Sequence, residues 1–495
     1  MLRLLGLVVA CAVGCLVACR STGADEDRPP NIVYVLADDL GYGELGSYGQ
    51  SKIRTPHLDR LAREGMRFTQ HYSGSPVCAP ARCVFLTGRH TGRSLVRANS
   101  ERGGWGPDEP EGQFPLPPGT PTLSGLLRDA GYRTGCVGKW GLGGPGTSGH
   151  PNRQGFDFFY GYLCQRVAHN YYPTHLWRNE ERDELPGNAW FSAHQRLEAP
   201  LEREADYRER YASRVYAPDR LIEEALAFVR RSQDRPFFLW FSTPVPHVAL
   251  QVPSRELDAY PAEWDAEPYL GQKGYLPHPS PRRAYAAMIS RLDADVGRIL
   301  ALLEELGLEE DTIVLFSSDN GPTFNGGTDS AFFDSAAGLR GLKASLWEGG
   351  IRVPFLARWP GRVEAGSESD LVSGFPDVLP TLLELAGASG AEPPTDGLSL
   401  VPTLLGTGVQ AEHDALYWEY RSQQALRFGD WKAHRRDLRK SDRVALYDLA
   451  ADPAETTDVA DEHPELVARA RELMASLRTP DANFPLLGVD PPKAE

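Results

Sequence analysis

The run Asn31-Ile32-Val33-Tyr34-Val35-Leu36-Ala37-Asp38-Asp39 decides the fold. Its β-branched and aromatic core, Ile32–Ala37, is too short for a typical helix and lacks the polar alternation of a strand with one wet face, so it reads as a buried strand. Thr134–Gly138, Phe237–Ser242 and Thr312–Ser317 have the same character. Helical patterns lie between them. Pro56–Glu64 places Leu58, Leu61 and Ala62 on one face, Thr122–Ala130 is closed by Gly131, and Arg283–Leu306 repeats Met288, Leu292, Val296, Ile299 and Leu303 at three- and four-residue spacing. Strands alternating with helices predict an α/β fold, a large mostly parallel sheet sandwiched by helices.

Each apolar run stops in residues capable of chemistry: Asp38-Asp39, Lys139, His247 after a short loop, and Asp319-Asn320. Ligands of open α/β sheets bind outside the carboxyl ends of the strands, so one shared site accounts for all four endings. Paired carboxylates at a buried strand end are costly unless a cation neutralises them. The oxygen-rich set suits Ca²⁺, and secondarily Mg²⁺, better than zinc. For either pair taken alone, a turn or helix cap is the competing reading.

After Gly397 the pattern changes. Ala415–Tyr420, Gln424–Phe428, Lys432–His434 and Val444–Asp448 read as short strands, followed by a helix from Pro464 to Leu477. The expected organisation is a removed leader at 1–18, a tether at 19–30, a catalytic domain at 31–408 and a small C-terminal α+β domain at 409–485. Gly103–Pro121 reads as a surface loop.

The 495 residues are 41% hydrophobic and 24% charged, a globular composition, and carry a formal net charge of -15. That charge argues against a nucleic-acid or acidic-membrane binder; an anion site must be local. Met1-Leu2-Arg3 and the apolar run from Leu4 to Ala18 form a secretory leader too short for a typical membrane span. Leu16-Val17-Ala18-Cys19 resembles a bacterial lipobox, which would make Cys19 the lipidated first residue of the mature chain; an ordinary leader cut nearby is the alternative. The expected location is therefore exported, either periplasmic or attached to the outer membrane of a bacterium through a lipid anchor. Cys78, Cys83, Cys136 and Cys164 are too few and too spread for a disulfide framework.

Cys78 lies in Cys78-Ala79-Pro80-Ala81-Arg82, where Pro80 suits the first turn of a helix continued by Cys83–Leu86. A helix N-terminus offers N–H groups and the positive dipole end to an anion. The run, with Leu86-Thr87-Gly88-Arg89, resembles the signature of the type I sulfatases of the alkaline phosphatase superfamily. Asn31–Gly41, Thr55-Pro56-His57-Leu58-Asp59-Arg60-Leu61, Gly138-Lys139-Trp140, Ser318-Asp319-Asn320-Gly321 and Trp347–Pro354 match patterns of the same family in order.

The resemblance implies sulfate-ester hydrolysis by a formylglycine made from Cys78, with a formylglycine-generating enzyme as maturation partner. It implies Asp38, Asp39, Asp319 and Asn320, joined by the modified Cys78, as calcium ligands. Arg82 would hold the modified side chain, Lys139 and Lys343 would clamp sulfate, and His247 would be the general acid. Its expected substrates are sulfated carbohydrates or aryl sulfates. The competing functions are a phosphate or phosphonate monoester hydrolase of the same superfamily, and a sulfated-glycan binding lipoprotein without turnover.

One departure stands out. Much of the family has Gly-Lys-Trp-His-Leu-Gly, and its histidine handles the formylglycine proton; this chain has Gly141. His169, in Gln165–Pro173, is nominated in its place, with Tyr171, Tyr172 or Trp177 stacking a sugar ring and Arg166 meeting a second anionic group. Ordinary packing of a loop on the sheet is the competing reading of that segment.

Overall fold

Alternate residues of the Asn31–Ala37 strand point to opposite faces, and both faces are covered. Val33, Val35 and Ala37 join a core with Leu221 and Val229 of the Ala217–Arg231 helix and Met288 and Val296 of the Pro281–Leu306 helix. Ile32, Tyr34 and Leu36 join a second core with Val84 and Leu86 of the Cys78–Thr87 helix and Leu379 and Leu382 of the Val378–Leu385 helix. The chain is seen in a computed structural model that describes residues 28–388, 390 and 393–491. The expected leader and Cys19, the expected lipidation site, lie outside the described residues.

The sheet has ten strands, in the order Ser367–Ser369, Met66–Phe68, Phe355–Arg358, Thr312–Ser318, Asn31–Ala37, Phe237–Ser242, Arg133–Lys139, Phe158–Tyr162, His175–Arg178 and Glu181–Glu184. Phe355–Arg358 and His175–Arg178 run against their neighbours; the other pairings are parallel. The four strands recognisable from sequence are adjacent at the centre. Their ends coincide, with Ala37 opposite Ser318, Leu36 opposite Ser242 and Ser242 opposite Gly138. Asp38-Asp39, Lys139, Asp319-Asn320 and the loop to His247 therefore emerge at one sheet edge, as the four endings predict.

The helices match their sequence patterns to within two residues, at Pro56–Arg63, Leu123–Asp129 and Pro281–Leu306. Asp293 of the longest helix accepts from the backbone N–H groups of His57 (3.0 Å) and Leu58 (2.7 Å), capping the first turn of Pro56–Arg63 from a neighbouring element.

The C-terminal unit is a four-stranded antiparallel meander, Leu416–Tyr420, Gln423–Phe428, Trp431–Arg435 and Ala445–Asp448, covered by the Pro464–Ser476 helix. It is tied to the large domain by a buried charge cluster. Lys432 Nζ lies 2.9 Å from Glu348 and 3.1 Å from Glu455, and Tyr72 donates to Glu348 at 2.7 Å.

All four described cysteines are buried and unpaired. Among the described residues no helix is long and apolar enough to cross a membrane.

Candidate active site

Cys78 is the first residue of the Cys78–Thr87 helix and is wholly buried. The second amide of that helix, on Ala79, donates to Asn99 Oδ1 at 3.0 Å, and Pro80 has no N–H to satisfy. The Cys78 sulfur lies 3.2 Å from Asp38 Oδ1, 4.0 Å from Asp39 Oδ1 and 3.5 Å from Lys343 Nζ. Asp39 has a left-handed backbone (φ 67°), and its N–H meets Asp319 Oδ1 at 3.2 Å. A non-glycine residue held there is costly, and such strain gathers at functional sites.

Cations balance the carboxylates. Arg82, buried one helical turn after Cys78, contacts Asp319 Oδ2 at 2.8 Å and Asp38 Oδ2 at 3.5 Å, and donates to the Lys139 carbonyl at 2.6 Å. It also donates to the Ser242 hydroxyl, a partner that sequence reasoning missed although Ser242 ends one of the four strands. Lys139 pairs with Asp38 and is buried. Lys343 pairs with Asp39 at 2.7 Å and is 12% exposed, the least enclosed of these cations. His247 Nε2 is 3.6 Å from Asp39 Oδ2, and its Nδ1 donates to the Val248 carbonyl.

The electrostatics follow from this packing. Burial opposes ionisation of Asp38, but Lys139, His247, Arg82 and Lys343 outweigh it and hold Asp38 well below the usual carboxylate range. Asp319 is pushed up to about 7, by burial and then by Asp38. Burial, Asp319 and Asp38 together raise the Cys78 thiol well above its ordinary value. The side chain therefore stays a protonated thiol, a poor nucleophile. Burial, with Lys343 beside it, brings His247 down to about 4.

Donor atoms of Asp38, Asp39, Cys78 and His247 lie within 4.8 Å of one another. Asn320 Nδ2 donates to Asp39 Oδ1 at 2.7 Å, while its buried Oδ1 has no hydrogen-bond partner. An orphaned amide oxygen beside two carboxylates fits a hard cation. Asp319, expected as a ligand, is engaged by Arg82 and by the Asp39 amide; His247, expected as an acid, belongs to the compact donor group.

Gly141 has φ +86°, and a Cβ there would lie 2.9 Å from the Gln165 side chain. Gln165 thus fills the volume a side chain at 141 would claim, and neither amide atom of Gln165 has a partner. His169 stacks face to face on His247 (centroids 4.7 Å, planes 6° apart), and its Nδ1 is 3.2 Å from His194 Nε2.

The expected sugar-stacking aromatics are a correction. Tyr171, Tyr172 and Trp177 are buried: Tyr171 and Tyr172 pack in the core beside Tyr216, and Trp177 lies in the sheet's edge hairpin. Trp177 Nε1 donates to Glu111, and the Tyr171 hydroxyl lies 2.7 Å from the Pro244 carbonyl and 2.6 Å from that of His247. Tyr171 thus braces the His247 loop.

The chain is similar to known proteins along most of its length. Residues 30–388 match the sulfatase family model, and residues 342–480 match that of the N-sulphoglucosamine sulphohydrolase C-terminal region. Human arylsulfatase A is 33% identical, over 94% of this chain and 89% of its own. An N-acetylgalactosamine-6-O-sulfatase of Bacteroides thetaiotaomicron is 30% identical, over 96% and 99%. The solved structure of Ps i-CgsB with k-i-k-neocarrahexaose superposes with a TM-score of 0.72 at 25% identity, covering 91% of this chain and 93% of that one. The chain belongs to the sulfatase family of sulfuric ester hydrolases, within the alkaline phosphatase superfamily.

Proposed function

We propose that this chain removes sulfate from sulfated carbohydrates, with the side chain of residue 78 converted to formylglycine and a calcium ion beside it. The observation that carries the reading is the position of Cys78, at a buried helix start 3.2 Å from Asp38 and 3.5 Å from Lys343. The matching relatives named for sulfated sugars support the substrate class.

Asp38, Asp39, Asp319, Asn320 and residue 78 would hold the ion. When present, the hydrated aldehyde supplies a hydroxyl whose deprotonation the ion and nearby cations favour. Arg82 fixes residue 78 through its hold on Asp38 and Asp319. Lys139 and Lys343 neutralise charge developing on the sulfate oxygens, the dominant contribution in such transfers. With Nδ1 donating to Val248, His247 presents Nε2 to the centre; the negative charge of a bound sulfate ester favours its imidazolium form, whose Nε2–H passes to the departing alcohol. With Gly141 in the loop, removal of the second hydroxyl proton is assigned to the stacked pair, His247 facing the centre and His169 behind it.

We assign residues 31–408 to the catalytic domain and 409–485 to the C-terminal one. Export and acylation at Cys19 complete the proposal, to be checked by fatty-acid labelling that Cys19→Ala abolishes. Mass analysis of the Ser75–Arg82 peptide from protein matured with a formylglycine-generating enzyme tests the nucleophile: the mass loss of thiol-to-aldehyde conversion is expected, and unmodified cysteine throughout overturns it. On matched esters sulfate turnover should exceed phosphate turnover; the reverse would support the phosphate hydrolase.

A further inference from the structure

Among the described residues few large apolar side chains are strongly exposed, and Trp105 (50%) and Trp190 (45%) line the same cavity. The two come from separate loops of the chain. Two exposed indoles at one depression leave substantial apolar surface in water unless a flat ligand covers it.

The cavity is charged as well as aromatic. Arg166 and Arg182 line it; neither is in an ion pair among the described residues, and the Arg182 guanidinium lies 5.7 Å from the Trp177 ring centroid. Glu111, 7% exposed, also faces it. Its Oε1 accepts from His175 and Trp177 at 2.7 and 2.8 Å, while its buried Oε2 has no partner. An unsatisfied buried carboxylate oxygen seeks a hydroxyl donor. The cavity is coupled to the reacting centre, because His194 on its wall is the hydrogen-bond partner of His169, and His169 stacks on His247.

Resting on the sulfatase reading, we propose that this cavity binds the saccharide unit next to the sulfated sugar, with Trp105 and Trp190 against the ring, Glu111 accepting a hydroxyl and Arg166 and Arg182 meeting a carboxylate or second sulfate. The preferred substrate is then an anionic oligosaccharide rather than a monosaccharide or an aryl sulfate.

The test uses matured full-length protein with tetrasaccharides from chondroitin, heparan and carrageenan, the terminal sulfated monosaccharide of each, and 4-nitrophenyl sulfate. At least one tetrasaccharide is expected to exceed its monosaccharide in kcat/KM by roughly tenfold or more. The Trp105→Ala/Trp190→Ala double variant removes that advantage, Trp105→Phe and Trp190→Phe retain most of it, and Arg166→Gln/Arg182→Gln reduces it only where the neighbouring unit is charged. Tetrasaccharides no better than their monosaccharides, or an advantage that survives the double alanine variant, would overturn the inference. If verified formylglycine protein hydrolyses none of the esters, 4-nitrophenyl sulfate included, the sulfatase reading itself fails, and the inference with it.

Discussion

Arg82 concentrates the chemistry of the site in one side chain. It is fully buried between Asp38 and Asp319 and uses its other terminal nitrogen on the Lys139 carbonyl and the Ser242 hydroxyl, so replacement leaves buried carboxylates uncompensated. Arg82→Gln should lower stability by about 3–5 kcal/mol, read as a fall in Tm, and abolish turnover. Tyr171 offers a milder test. Its hydroxyl reaches two carbonyls of the His247 loop, so Tyr171→Phe should cost about 1–3 kcal/mol. Activity should fall mainly in kcat, since the loop carries the proposed proton donor; an effect confined to KM would contradict a bracing role.

At the level of elements, the site depends on strand ends meeting closely. Gly138 (φ +121°), next to Lys139, would place a Cβ 2.0 Å from the Ser242 carbonyl oxygen. Gly138→Ala must push apart the two strands that deliver Lys139 and the His247 loop. It should lower Tm by several degrees and reduce kcat/KM by more than tenfold, checked by thermal unfolding and steady-state kinetics. The long apolar strands and amphipathic helices were readable in the sequence because burial on both faces leaves no alternative reading for Ile32–Ala37 or Phe237–Ser242. The flanks were not. Met66–Phe68 and Ser367–Ser369 are three residues each, too short for any period, and Tyr171, Tyr172 and Trp177 read as sugar-stacking residues because their types are those that stack sugars. The cations of the candidate site were legible through their motifs, whereas Ser242 and Trp190 carry no local signal and gain meaning only from what folding sets beside them.

Across the whole molecule the two domains are joined by buried charge. Lys432 lies between Glu348 and Glu455, and burial, against the pull of Lys432, pushes Glu455 up to about 7. A carboxyl raised in the folded state destabilises the fold as pH climbs through its native pKa, and is relieved as pH falls below it. Lys432→Met removes the compensating cation, so its loss of stability should be greatest above pH 7 and shrink towards pH 5, which unfolding curves at the two pH values would reveal. Chelation should lower Tm and activity together if a cation sits on the Asp38–Asp39 pair, with calcium restoring both.

The complete enclosure of Cys78 also sets an order of events. Its sulfur lies within a finished helix, beneath ion pairs that close only when strands far apart in the chain have met, so a modifying enzyme has no route to it in the native protein. On the proposed formylglycine reading, conversion must then compete with folding and win while the segment is still an extended peptide. Native protein made without the enzyme should stay unconverted when the enzyme is added later, whereas the same polypeptide held unfolded should be accepted. Expression yield and active fraction would separate accordingly: rapid folding ahead of maturation gives abundant, stable, inert protein.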